Sequence, residues 1–257
     1  SNVILNLFFG TAINAARGIA TQVNGIVYSF STSFTMALNP QITKTYSAGN
    51  IQETVKMVYT SCRLTPFLMG VMCIPLMVNM EYILNLWLGN VPKYTVEFMQ
   101  LTMVSAIIGC IAAPISIALQ ATGKIKLFQI AISITLLCEL PCAYLILKCG
   151  GQPYMAMFPT VVVTFIGVYV RFIILKRMIK DYNILRFTLD VVVRDIIVLV
   201  IAFYISMLLY NGNSCFIDLL CNAIVSFLIT SICVWFGGMR ENERAIVYNK
   251  IKKKINK

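Results

Sequence analysis

The chain contains no histidine. That removes imidazole metal ligands, serine–histidine pairs and histidine proton relays. Acids are scarce too, with ten Asp and Glu against 21 Lys and Arg, for a net charge of +11. Charged residues make up 12% of the chain, where a soluble domain averages about a quarter. The nine cysteines form no CxxC pair, the nearest two being Cys138 and Cys142, so no zinc or redox motif is present. Scattered through apolar stretches, they read as small, buried, reduced hydrophobes. The opening SNVILNLFFG has no basic n-region and no small-residue cleavage site, so it is not a secretory signal. It starts inside a hydrophobic segment, and the expectation is the C-terminal part of a longer protein. Neither a cofactor nor a metal is expected, and no enzyme chemistry is visible.

In place of these features the chain has long apolar runs. Hydrophobic residues make up 59% of the total, with a mean hydropathy of +0.81. A helix crossing a bilayer needs roughly 20 mostly apolar residues. The end of one such span lies at about 1–9, and seven fuller ones run over about 11–37, 55–80, 96–120, 126–148, 153–175, 190–210 and 214–237. The expected fold is all-α, a polytopic transmembrane helix bundle. Residues 1–237 form the membrane lobe, with 1–9 as the end of a truncated helix, and 238–257 form a basic tail.

The basic residues sort by side when the spans alternate. Lys44, Lys56, Lys124, Lys126, Arg171, Lys176, Arg177, Lys180, Arg186, Arg194 and the tail fall together. Lys93 and Lys148 fall opposite, while Arg17 and Arg63 lie inside spans. The positive-inside rule puts the crowded side, and the C-terminus, in the cytoplasm. The net charge is therefore a matter of topology rather than of nucleic-acid binding. The segment LNPQITKTYSAGN, residues 38–50, reads as a cytoplasmic loop. Pro40 ends one helix, Gly49 permits the turn, and Glu53 favours the dipole of the next helix. Lys44 is the candidate gate residue of this loop. The tail RENERAIVYNKIKKKINK can form a short amphipathic helix, with Ile246, Val247, Ile251 and Ile255 on one side, lying on anionic membrane lipids; it can equally be a solvated charged tail.

The 11–37 span carries the strongest polar signal. Asn14, Arg17, Thr21, Asn24, Tyr28, Ser31 and Thr35 recur every three or four residues, opposite Ile13, Ala16, Ala20, Val23, Val27, Phe30 and Phe34. A polar stripe cannot face acyl chains, so it faces protein or a water-filled cavity. The fork of Arg17 suits phosphate, though Arg17 can also snorkel. A second stripe, Thr102, Ser105, Gly109, Ala112, Ser116 and Gln120, allows close helix approach or lines a cavity. Glu139, followed by Pro141, is the acid read as lying well inside a span. It is a candidate proton or cation site, or a partner for Arg17 or Arg63. Arg63 meets substrate or inner-leaflet head groups. ILNLWLGNVPKY reads as an outer loop whose Tyr82, Trp87 and Tyr94 form an aromatic belt.

The stretches ILNLFFGTAINAARGIATQVNG at 4–25, NPQITKTYSAGN at 39–50, ILNLWLGNVPKYT at 83–95 and LQATGKIKLFQ at 119–129 together give the chain its resemblance. It resembles the C-terminal half of the Wzx-like polysaccharide transporters (O-antigen flippases among the lipopolysaccharide biosynthesis proteins), within the multidrug/oligosaccharidyl-lipid/polysaccharide exporter superfamily. The resemblance implies two lobes around a cationic cavity that alternates between inward and outward openings in the bacterial inner membrane. It also implies flipping of an undecaprenyl-pyrophosphate-linked oligosaccharide, with Na+ or H+ and the polysaccharide polymerase machinery as possible partners. The substrate-facing candidates are Asn14, Arg17, Thr21, Asn24, Tyr28, Arg63 and Gln120, with Glu139 for ion coupling. An ion-coupled multidrug exporter and a non-transporting assembly subunit are the alternative readings.

Overall fold

The structure is a computed structural model that describes residues 2–241 and 243–245. The amphipathic helix expected over the tail, with Ile246, Val247, Ile251 and Ile255, lies outside the described residues, as do the side chains of Ser31 and Phe34.

The chain is a polytopic membrane helix bundle. Its helices are α1 (Asn2–Phe9), α2 (Thr11–Ser47), α3 (Ile51–Val78), α4 (Met80–Leu88), α5 (Thr95–Ala121), α6 (Ile125–Leu137), α7 (Glu139–Lys148), α8 (Phe158–Met178), α9 (Ile184–Phe187), α10 (Arg194–Leu208) and α11 (Phe216–Cys233). A 3-10 turn (Pro153–Met157) leads into α8, and π-helical stretches cover Thr188–Val193 and Val234–Gly238. Among the described residues, six segments are long and apolar enough to cross a membrane: Ile51–Val78, Thr95–Ala121, Ile125–Lys148, Pro153–Met178, Ile184–Leu208 and Phe216–Gly238. The sequence suggested seven. The difference is α2, whose 37 residues are long enough but whose polar stripe lowers its hydropathy.

Helix α5 is the hub. It packs against α2 and α3 on one side and α8 on the other, while α10 and α11 pack on α3, and α6 and α7 on α8. Large apolar side chains on α6, α10 and α11, such as Ile134, Leu137, Val200, Tyr204, Ile224 and Leu228, are exposed, as a lipid-facing surface requires. The cysteines divide in the same way. Cys62, Cys73 and Cys110 are buried, but Cys138, Cys142, Cys149, Cys215 and Cys221 are exposed. For these five the expected burial inside protein does not hold; they lie on the outside of the bundle.

Residues 38–50 are not a loop. Helix α2 runs through Pro40 to Ser47, and the turn is confined to Ala48–Asn50, with Gly49 at φ 75°. Proline removes one intrahelical hydrogen bond, at a cost of about 3 kcal/mol in a helix interior. Here packing outweighs that cost. Ile42 is buried in a cluster with Val58, Cys62, Phe172 and Tyr182, and Leu38 and Tyr46 pack on its edge. Side-chain bonds add support: Thr45 Oγ1 donates to the Ile42 carbonyl at 3.0 Å, and Thr54 Oγ1 to Thr45 Oγ1 at 3.2 Å. The start of α3 follows expectation, since Asn50 Oδ1 accepts from the Glu53 amide at 3.2 Å while its Nδ2 donates to the Glu53 carboxylate at 2.9 Å.

Two further segments differ from the sequence reading. The segment 83–94, read from the sequence as an outer loop, is half helix: α4 holds Tyr82 and Trp87 and ends at Gly89, φ 65°. Its mixed apolar sequence buries Met80 and Leu84, so the segment folds onto the bundle. The 126–148 span is broken at Cys138 between α6 and α7. Pro141 cannot donate to the carbonyl of Leu137, which accounts for the interruption at that point.

Candidate functional site

A cavity of about 520 Å³ opens between α2, α5, α6 and α8. Helix α2 contributes Asn24, Tyr28, Thr32, Thr35 and Asn39. Helix α5 contributes Thr102, Ser105, Gly109, Ala112, Ser116 and Gln120, the whole of the second stripe. Helix α8 adds Thr160, Thr164, Gly167 and Arg171, and α6 adds Ile132, Thr135 and Leu136. Each helix offers one face, because residues three and four apart lie above one another. The apolar side of α2 turns the other way: Ala16, Ala20 and Val27 are buried beside Met69, Met99 and Met103.

The chemistry of the wall follows from where its hydroxyl protons go. Thr102 donates to the Phe98 carbonyl at 2.7 Å, Ser116 to Ala112 at 3.0 Å, Thr135 to Ala131 at 2.8 Å and Thr164 to Thr160 at 2.7 Å. Their lone pairs are left to accept. The amides of Asn24 and Gln120 offer both donors and acceptors. The hydroxyls of Ser105 and Thr164 lie 3.2 Å apart and join α5 to α8.

Arg171 is the cation on this wall. Its Nη1 donates to the Gly167 carbonyl at 3.0 Å, its guanidinium lies 5.9 Å from the Phe128 ring, and its Nε is buried without a hydrogen-bond partner. A Cβ at position 167 would stand 2.8 Å from Nη1, so Gly167 makes room for the guanidinium. The sequence reading sorted Arg171 with the basic residues of the cytoplasmic side, near the end of the 153–175 span, and not among the substrate-facing candidates. In the structure it stands inside α8, which runs on to Met178, on the spacing Thr160, Thr164, Gly167, Arg171, a polar and small stripe of the same period as the other two. That stripe was the available signal.

The remaining sequence candidates are dispersed. Asn24, Tyr28 and Gln120 line the cavity. Asn14, Arg17 and Thr21, on the same helix, lie beyond its lining. Arg17 is partly buried, its Nη1 and the Asn14 Oδ1 have no hydrogen-bond partner, and Glu139 is the acid within its electrostatic reach. Glu139 accepts from Thr160 Oγ1 at 2.8 Å, which ties it to the cavity wall. Arg63 is buried away from the cavity and pairs with Glu243, 180 residues along the chain. Lys44 is exposed in the last turn of α2, also outside the lining. Nor is Glu139 alone as an acid within a span, because Asp195 on α10 is fully buried. Its place near a predicted span end concealed this. Among the described residues, no three His, Cys, Asp or Glu side chains gather as a metal site needs.

The family model described as MatE matches residues 1–145. This chain belongs to the MatE family. The match covers α1 through most of α7, and so includes the α2, α5 and α6 walls of the cavity. It makes the protein a member of the multidrug/oligosaccharidyl-lipid/polysaccharide exporter superfamily, a multi-pass membrane protein of the exporter or flippase type. MatE proteins are transporters rather than enzymes. No curated protein and no solved structure matches the chain.

Proposed function

We propose that this MatE protein translocates a lipid-linked oligosaccharide, carried on undecaprenyl pyrophosphate, from the cytoplasmic to the periplasmic leaflet of the bacterial inner membrane. The observation that carries this reading is the character of the cavity wall. Hydroxyl and amide groups outnumber aromatic ones, and a single guanidinium stands among them. Pockets for drug-like molecules are lined mostly by apolar and aromatic groups. A sugar presents many hydroxyl donors to acceptors of the kind that Thr102, Ser116, Thr135 and Thr164 leave open. A pyrophosphate matches the paired donors of an arginine.

In this reading Asn24, Tyr28 and Gln120 hold sugar, and Arg171 holds phosphate. The bundle is one lobe of a two-lobe transporter that alternates between two openings, with its C-terminus in the cytoplasm. Arg17, with Asn14 and Thr21, stands above the cavity as a second phosphate contact on the exit path. Glu139 couples the cycle to Na+ or H+. A multidrug exporter is the second reading, supported by Glu139 at the cavity edge, since an acid inside a span is a natural cation site.

The test is complementation. The whole gene is placed in a strain whose own flippase is deleted, and surface polysaccharide is read on gels. Restored polysaccharide supports the flippase reading. Failure to restore it with several donor glycans, together with raised resistance to cationic drugs, replaces that reading with the drug exporter.

A further inference from the structure

Away from the cavity, α3, α10 and the chain beyond α11 meet around a buried group of charges. Arg63 on α3 is 2% exposed and pairs with Glu243. Its Nε has no acceptor. Asp195 on α10 is 1% exposed, and neither of its carboxylate oxygens has a donor. Arg63 and Arg194 are the cations acting on Asp195; Cys62 on α3 is within its electrostatic reach, and Arg194 and Arg240 act on Arg63. One unmet donor therefore lies within electrostatic reach of two unmet acceptors. An ionised carboxylate buried without a donor costs several kcal/mol, so this arrangement suits the neutral acid.

The backbone around the group is built for close approach. A Cβ at Gly238 would lie 2.6 Å from the Phe67 ring and one at Gly237 would lie 3.0 Å from Val198, so the π-helical stretch after α11 is pressed against both α3 and α10. Arg194 Nε donates to the Gly237 carbonyl at 2.8 Å. The two π-helical stretches, Thr188–Val193 and Val234–Gly238, end at Arg194 and just before Arg240, on either side of the charges. Such stretches are frequent at functional positions.

We propose that Asp195 is a proton-binding site and that Arg63 reports its occupancy to the C-terminal segment. With a proton on Asp195, Arg63 pairs with Glu243, and Met239, Arg240 and Glu243 are held against α3 and α10. When the proton leaves to water, Arg63 turns to the Asp195 carboxylate, and Glu243 is left with the Arg240 amide, from which its other oxygen accepts at 2.9 Å. That single bond remains to hold the Glu243 side chain. The inference does not rest on the identity of the cargo.

The test is hydrogen exchange of the 239–245 peptide in the whole protein in lipid nanodiscs, corrected for intrinsic rates. Between about pH 5 and about pH 10, protection in wild type is expected to fall by about tenfold. Asp195→Asn keeps the protection at both ends of the range, and Glu243→Gln loses it at both. Wild-type protection that does not change with pH overturns the proposal, as does an Asp195→Asn protein that follows wild type. If high-pH protection returns when Na+ replaces choline at constant ionic strength, the ligand is a metal cation and the proton assignment fails. Difference infrared spectroscopy on wild type needs no variant: the protonated carboxyl band must vanish over the same pH range in which protection falls, and a band that persists refutes the mechanism.

Discussion

Replacing Arg171 with Met separates a phosphate-binding role from a structural one. Met is long and apolar enough to keep the contact with Phe128, but it carries no charge and no donor. Within the fold, the change removes one hydrogen bond, from Nη1 to the Gly167 carbonyl at 3.0 Å. That carbonyl already belongs to a helix, so the loss is about 1 kcal/mol, offset in part by removing a half-buried charge. Stability should therefore move little. Binding should move more, because a hydrogen bond to a charged group contributes about 1.5–3 kcal/mol. At about 1.4 kcal/mol per decade, that is roughly a tenfold to hundredfold weaker affinity for a phosphate ligand. The assay is flipping of a fluorescent pyrophosphate-linked oligosaccharide in reconstituted vesicles, over a range of substrate concentration, with thermal unfolding of the same samples. A half-saturation concentration raised by about tenfold or more, at nearly unchanged unfolding temperature, is the expected result. A change below about threefold at equal abundance refutes the assignment of Arg171 to the phosphate. Gly167→Ala gives an independent check. Its Cβ would stand 2.8 Å from Nη1 and displace the guanidinium without removing it, so flipping should fall while Arg171 is still present.

Other expectations follow from single features. Glu139→Gln should make transport insensitive to an imposed Na+ or H+ gradient while leaving gradient-free exchange intact; an unchanged response to the gradient removes Glu139 from coupling. Asn50→Ala removes the cap of α3, where Oδ1 accepts from the Glu53 amide, and should cost about 1 kcal/mol in thermal unfolding. Gly238→Ala drives a Cβ to 2.6 Å from the buried Phe67 ring, and should cost about 1–3 kcal/mol. Gly25→Ala, in α2 with nothing within 4 Å of the new Cβ, should instead gain about 0.5–1 kcal/mol. Equal shifts in these two glycine variants contradict the packing of the Val234–Gly238 stretch against α3.

Composition and periodicity alone determined the class of this protein and much of its candidate site. Long apolar runs require helices that satisfy their own backbone in lipid, so the all-α bundle follows from hydropathy. A polar stripe at a spacing of three and four is a property of one helix, and no neighbour is needed to see it. Asn24, Tyr28 and Gln120 could be named for that reason, and Thr102, Ser105, Gly109 and Ser116 could be marked as either packing or lining. Which of those two it is depends on the distance between helices, and only the arrangement of α2, α5, α6 and α8 set it. Pro40 shows the opposite limit. Local rules end a helix there, and burial of Ile42 among residues of α3 and α8 and beyond carries it through. Arg171 looked like one more cation of the basic side until the packing of α8 on α5 put it on the cavity wall. Arg63 found its partner 180 residues away, and Asp195 was left fully buried beside it. The pattern along a helix is local and therefore legible; partners for buried charges, and the depth at which they sit, are fixed by packing between segments far apart in the chain, which no single stretch encodes.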